Sequence, residues 1–143
     1  MIMITVILST YNDEQTIFQA INSIINQSHV NFELIVINDC STDKTKEIIQ
    51  SFDDGRLVYV ENNRNLGRSR SRNKGIKMAK GKFIAIMDGD DISAVNRLEV
   101  QVNYLINNPN IDLVASNVIY FYRDEVVGIS QLKLHKSNIF NFY

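Results

Sequence analysis

Phe32-Glu33-Leu34-Ile35-Val36-Ile37-Asn38-Asp39-Cys40-Ser41-Thr42-Asp43 runs from an apolar, β-branched stretch straight into turn residues. Phe32 to Ile37 is too short for a helix with a face of its own and reads as a strand buried on both sides. Ser41, Thr42 and Asp43 favour a helix start, and Ile48, Ile49 and Phe52 follow at the spacing of an inner helical face. This strand, polar turn and helix decide the fold because the same unit recurs on either side.

Upstream, Ile2 to Leu8 is a second apolar run, followed by Ile17, Ala20, Ile21, Ile24 and Ile25 at helical spacing. Downstream, Leu57 to Val60 predicts a short strand. A helix is expected over Ser69 to Ala79, with Ile76 and Ala79 inward and Gly81 at its end. Phe83 to Met87 predicts a fourth buried strand. Ser93 is placed to cap a further helix with Val95, Leu98, Val102 and Leu105 on one face, and Pro109 lies beyond its end. Ile111 to Ala115 reads as a fifth strand, Val118 to Tyr122 and Val126 to Ile129 as two shorter ones, with Asp124-Glu125 a turn between them. Alternation of this kind means an α/β domain, its sheet mostly parallel with helices on both faces.

The bulk numbers fit one such domain. The chain has 143 residues, 45% of them hydrophobic, and a net charge of -1, which gives no support for a general nucleic-acid or anionic-membrane partner and leaves room for a local phosphate-binding patch. Cys40 is the single cysteine, so neither an internal disulfide nor a Cys-rich zinc site can form. The opening Met-Ile-Met-Ile-Thr-Val-Ile-Leu lacks a basic leader and a cleavage site. No run reaches the ~18 apolar residues that span a bilayer.

In a parallel sheet every strand points its carboxyl end to one edge, and ligands bind there. Four strands end in Ser9-Thr10-Tyr11-Asn12, in Asn38-Asp39, in Glu61-Asn62-Asn63-Arg64-Asn65-Leu66-Gly67, and in Asp88-Gly89-Asp90-Asp91. Three carboxylates in four residues repel one another unless a cation sits among them, and all-oxygen ligands point to Mg²⁺ or Mn²⁺. Gly89 permits a tight turn and the close approach of a ligand. The alternative is an acidic helix start that complements the dipole. Asp39 suits either a base or ribose contact or a turn. Tyr11 suits either a stacking ring or an ordinary edge position. Arg72 and Lys74 could meet a diphosphate, or join Arg64, Arg68, Arg70 and Lys77 on a solvated face. After the first strand there is no G-x-G-x-x-G, and nowhere is there a G-x-x-x-x-G-K-[ST], so hydride transfer and NTP hydrolysis are disfavoured.

Taken in order, these pieces resemble the family 2 glycosyltransferases of the GT-A (Rossmann-like) fold. The resemblance runs from Ile4 to about Ile111 and rests on Thr10-Tyr11-Asn12, Asn26-Gln27, Phe32-Glu33, Asp39-Cys40-Ser41-Thr42-Asp43, Asn65-Leu66-Gly67, Arg72-Asn73-Lys74-Gly75, Asp88-Gly89-Asp90-Asp91 and Arg97-Leu98-Glu99 with Gln101. It departs from the family's commoner residues at Ser9 (Pro), Asn38 (Asp), Cys40 (Gly) and Gly89 (Ser or Ala).

The resemblance implies a nucleotide-sugar site of Ser9, Tyr11, Asn12, Glu14, Asp39, Arg72, Asp88 and Gly89. Ser9, Tyr11 and Asp39 would surround base and ribose, Glu14 would support their loop, and Arg72 would lie near the phosphates. Asp88 and Asp90 would hold Mn²⁺ or Mg²⁺. The implied reaction is inverting, metal-assisted transfer of a sugar from a nucleoside-diphosphate sugar to the hydroxyl of a glycan or lipid-linked acceptor. The expected setting is cytoplasmic, peripheral at the inner membrane face, with membrane association only through segments outside this stretch. No nucleic acid is expected, and a homo-oligomer is. Residues 1–143 would be the donor-binding part of the domain, truncated at its C-terminus, with the general base after Tyr143. The alternative is a non-catalytic sugar-nucleotide-binding module.

Overall fold

The computed structural model describes residues 2–122 and 125–130, and the chain forms two compact units, Met1–Leu98 and Glu99–Tyr143. In the first unit β1 (Ile4–Thr10), α1 (Ile17–Ile25), β2 (Phe32–Asn38), α2 (Thr45–Gln50), β3 (Leu57–Glu61), α3 (Arg68–Met78) and β4 (Phe83–Asp88) alternate. The four strands are parallel in the order β3-β2-β1-β4. β1 and β2 are the inner strands, and every residue in both is buried. That is why they read as unbroken apolar runs rather than alternating ones.

The chain steps from β1 to β2 to β3 in one direction, then α3 carries it back across the sheet to β4 on the far side of β1. Right-handed crossovers of this order put α1 and α2 on one face and α3 on the other. Accordingly α1 packs against α2, and α3 lies on β1 and β2. The direction of winding reverses between β1 and β4, so their carboxyl ends part and open a crevice.

Several expectations change. The inner face of α3 is Ser71 and Gly75, while Ile76 is 44% exposed. The helix sits too close to the sheet for large side chains: a Cβ on Gly75 would lie 2.7 Å from Ile7 and 2.9 Å from Ile37. β4 is half-buried rather than buried, with Ile84 and Ile86 exposed, because among the described residues it pairs only with β1. Gly81 is where the chain passes β1: its N–H donates to Thr5 Oγ1, whose hydroxyl donates to the buried carboxylate of Glu33.

Ser93 does not cap a helix. α4 is Arg97–Asn107, and Ser93 is instead buried against Gln27 and Ser23. Gln27 is 4% exposed and donates to Ser23 O and Ala94 O while accepting from Leu98 N–H. The Asn-Gln step of the sequence is therefore a latch between the end of α1 and the segment that follows Asp91.

In the second unit β5 (Ile119–Tyr122) and β6 (Glu125–Ile129) form an antiparallel hairpin with an irregular register at Tyr120/Phe121. The fifth strand expected at Ile111 to Ala115 is not formed. Ile111 N–H turns back to Asn108 O, Leu113 is exposed, and among the described residues no partner ladder meets the run. Asp124 and Tyr143 lie outside the described residues. No helix among the described residues is long and apolar enough to cross a membrane.

Candidate functional site

A cavity of about 260 Å³ opens at the β1/β4 crevice, lined by residues 9–11 and 13 at and beyond the end of β1, Asp39 after β2, residues 65, 67, 68 and 71 before and within the start of α3, and residues 88–90 at and beyond the end of β4. Four separate segments converge because parallel strands deliver all their following loops to one edge.

Asp39 is 3% exposed, yet protein donors already hold both of its oxygens. Leu66 N–H and Asn62 Nδ2 donate to Oδ1 at 2.9 and 2.8 Å, and Gly67 N–H donates to Oδ2 at 2.8 Å. Burial alone would raise its carboxyl; bonds from Leu66, Asn62, Gly67 and Ser71 outweigh burial and hold it below the ordinary value. Asp39 thus pins the loop that starts α3, where Gly67 adopts φ 84, and still walls the cavity. Asp39 therefore acts as a loop anchor in this fold, and it also borders the cavity.

Asp88, Asp90 and Asp91 each offer an oxygen within 4.8 Å of the others. This all-oxygen set fits a hard divalent cation. Within the protein, arginines meet one of the three carboxylates, that of Asp88. Arg72 Nη2 donates to Asp88 Oδ1, and Arg68 Nη1 lies 3.6 Å from Asp88 Oδ2. At Asp91, burial first and then the Asp90 and Asp88 charges raise the carboxyl, while Arg97 and Arg68 oppose the rise. Arg97 donates to Ile86 O, and burial lowers its own affinity for a proton.

Gly89 serves packing within the protein. A Cβ there would fall 2.4 Å from Asp13 Oδ2 and 2.9 Å from Thr10 Oγ1. Asp13 accepts from Thr10 Oγ1 at 2.6 Å, and its carboxylate lies between the loops after β1 and β4.

Of the residues the resemblance singled out, Ser9, Tyr11, Asp39, Asp88, Gly89 and Asp90 line the cavity. Tyr11 is 46% exposed, with its ring free to stack. Asn12 and Glu14 do not line it; they tie two loops together. Asn12 Oδ1 accepts from Thr42 N–H, and Glu14 Oε2 accepts from Lys44 N–H. Arg72 reaches the site through Asp88. Lys74 turns away, bonded to Asn62 Oδ1 at 2.8 Å.

The sequence assigns no site role to Thr10, Asp13, Asn65, Ser71 or Arg68, which also line the cavity. Asp13 directly follows the Thr-Tyr-Asn step, a signal available in the sequence. The small Ser71 on an otherwise basic helix is visible only once α3 is known to press on the sheet.

Residues 5–142 match the family model of glycosyl transferase family 2. The chain belongs to that family. It is 35% identical over 126 residues to an Escherichia coli UDP-Glc:alpha-D-GlcNAc-diphosphoundecaprenol beta-1,3-glucosyltransferase, covering 88% of this chain and 49% of that protein. Its fold matches S. aureus TarS in complex with UDP-GlcNAc at a TM-score of 0.76 with 27% identity, over 87% of this chain and 36% of that one. It also matches a mannosyltransferase from Pyrobaculum calidifontis in complex with GDP-Man and Mn²⁺ at a TM-score of 0.73 with 27% identity, over 79% and 34%. These neighbours are GT-A glycosyltransferases. This family 2 chain therefore spans less than half the length of that relative and about a third of each structure.

Proposed function

We propose that this stretch binds the donor of an inverting, metal-assisted glycosyltransferase. One observation carries the reading. Among the described residues, the buried side-chain polar atoms without a partner are Ser9 Oγ, in a residue that lines the cavity, and Arg72 Nε, in the side chain that holds the lining residue Asp88. Buried polar groups are normally satisfied, so each orphan calls for a ligand atom.

Ser9, Tyr11 and Asp39 would take the base and ribose. Asp88 and Asp90 would hold Mn²⁺ or Mg²⁺, with Arg72 near the phosphates. The cation supplies neutralisation of charge on the departing nucleoside diphosphate. Tyr11 covers the base, Asn12 and Glu14 keep its loop in place, and the packed Gly89 fixes the spacing of the two aspartates. The substrates in the relative's name favour a uridine nucleotide and a lipid-linked acceptor for this chain.

Calorimetry of UDP and GDP with Mn²⁺, and again with chelator, tests the reading. Binding that needs the cation and is lost in Asp90→Asn supports it. Equal affinity with chelator, or stabilisation by NAD and by no nucleoside diphosphate, refutes it. Metal-dependent binding of the nucleotide sugar by the full-length protein without transfer to any acceptor would select the non-catalytic alternative.

A further inference from the structure

The charge balance at Asp88 carries one more step, which rests on the donor-site reading above. Both Asp88 oxygens face a guanidinium, Arg72 on Oδ1 and Arg68 near Oδ2. A divalent ion shared with Asp90 would compete with the guanidinium of Arg72 for the charge of the Asp88 carboxylate, and the two cations would repel each other there. Arg72 is also incompletely bound: Nη2 is on Asp88, while its buried Nε has no acceptor. A planar fork held at one prong matches the paired oxygens of a diphosphate better than the single carboxylate oxygen it now meets. Arg68 is 67% exposed, so solvent screens its contact with Asp88. The side chain of Arg72 is 28% exposed and makes the stronger hold.

We propose that Arg72 is a positioning residue that exchanges partners. It holds Asp88 while the donor is absent, and it passes to the diphosphate when the donor binds, releasing Asp88 to the cation. Cation and diphosphate then assemble together. Each raises the affinity of the other, and the cation alone binds weakly.

The test uses the full chain, wild type beside Arg72→Gln and Arg72→Lys, and follows free Mn²⁺ by its paramagnetic resonance signal, without and then with UDP. Without UDP, Arg72→Gln should bind Mn²⁺ about fivefold tighter than wild type, the weight of one partly exposed ion pair. UDP should then raise its Mn²⁺ affinity by a smaller factor than in wild type. Arg72→Lys keeps the charge at Asp88 and should bind Mn²⁺ alone as wild type does. A merely structural role for Arg72 would not tighten metal binding on its removal. Mn²⁺ affinity without UDP that is equal or lower in Arg72→Gln overturns the exchange. Failure of the donor-site reading looks different, since UDP would then leave Mn²⁺ affinity unchanged in the wild type as well, and that result removes both.

Discussion

Gly89 meets Asp13 so closely that a single added carbon would lie 2.4 Å from the Asp13 carboxylate. Two loops, one after β1 and one after β4, are thereby locked at the edge where Asp88 and Asp90 stand. Gly89→Ala should cost about 1–3 kcal/mol by overpacking, read by chemical denaturation. Because Asp13 supplies the clash, the double variant Gly89→Ala/Asp13→Ala should recover part of that loss, a coupling that a double-mutant cycle measures. Additive effects would show the two residues to be independent.

Asp39 makes a pH prediction. Its folded-state carboxyl lies below the ordinary 3.8. A depressed carboxyl contributes stability that is fully present above the unfolded value and is lost as pH falls through the folded one. Stability should therefore hold from neutral pH down to about pH 4 and decline below it. Asp43 and Asp54 shift the same way, the latter chiefly through its bond from Arg56, so Asp39→Asn should flatten the acid slope only in part. The same variant should lose about 2–3 kcal/mol near neutrality, because the loop amides of Leu66 and Gly67 lose a charged acceptor. Urea titrations from pH 3 to 7 check both. A wild-type slope in Asp39→Asn would be evidence against the assignment.

Gln27 should behave as a structural residue with a functional echo. Gln27→Leu leaves the buried Leu98 N–H without its acceptor, at a cost of about 1–3 kcal/mol. Because the latched segment follows directly on Asp91, Mn²⁺ affinity in the presence of UDP should fall as well. A stability loss with metal affinity untouched would confine Gln27 to the fold.

Cys40 sits at φ 66, in the left-handed region. A residue with a Cβ pays about 1 kcal/mol there relative to glycine. Cys40→Gly should raise the midpoint of thermal unfolding, and it should leave nucleotide affinity alone, since Cys40 does not line the cavity. A lower midpoint would mean that the thiol makes a contact worth more than the strain.

What the sequence determined by itself is the alternation of strand and helix and the edge at which the chemistry gathers. β1 and β2 are buried on both faces, so their apolar runs could mean little else, and the polar stops after them fell where the topology needs loops. The places of Asp39, Asp88 and Asp90 at the cavity were legible because each stands at or just past the carboxyl end of a parallel strand. Tertiary structure alone decided the rest. The inner face of α3 is Ser71 and Gly75 rather than Ile76, because helix-to-sheet distance, not hydrophobicity, selects the residue there. Ile111 to Ala115 has strand-forming residues and no strand, because a strand exists only with a partner ladder. The arginines that offset the aspartates, and the Asp13 that makes Gly89 necessary, come from other segments of the chain. Pairings of that kind are set by packing in three dimensions, and no local pattern encodes them.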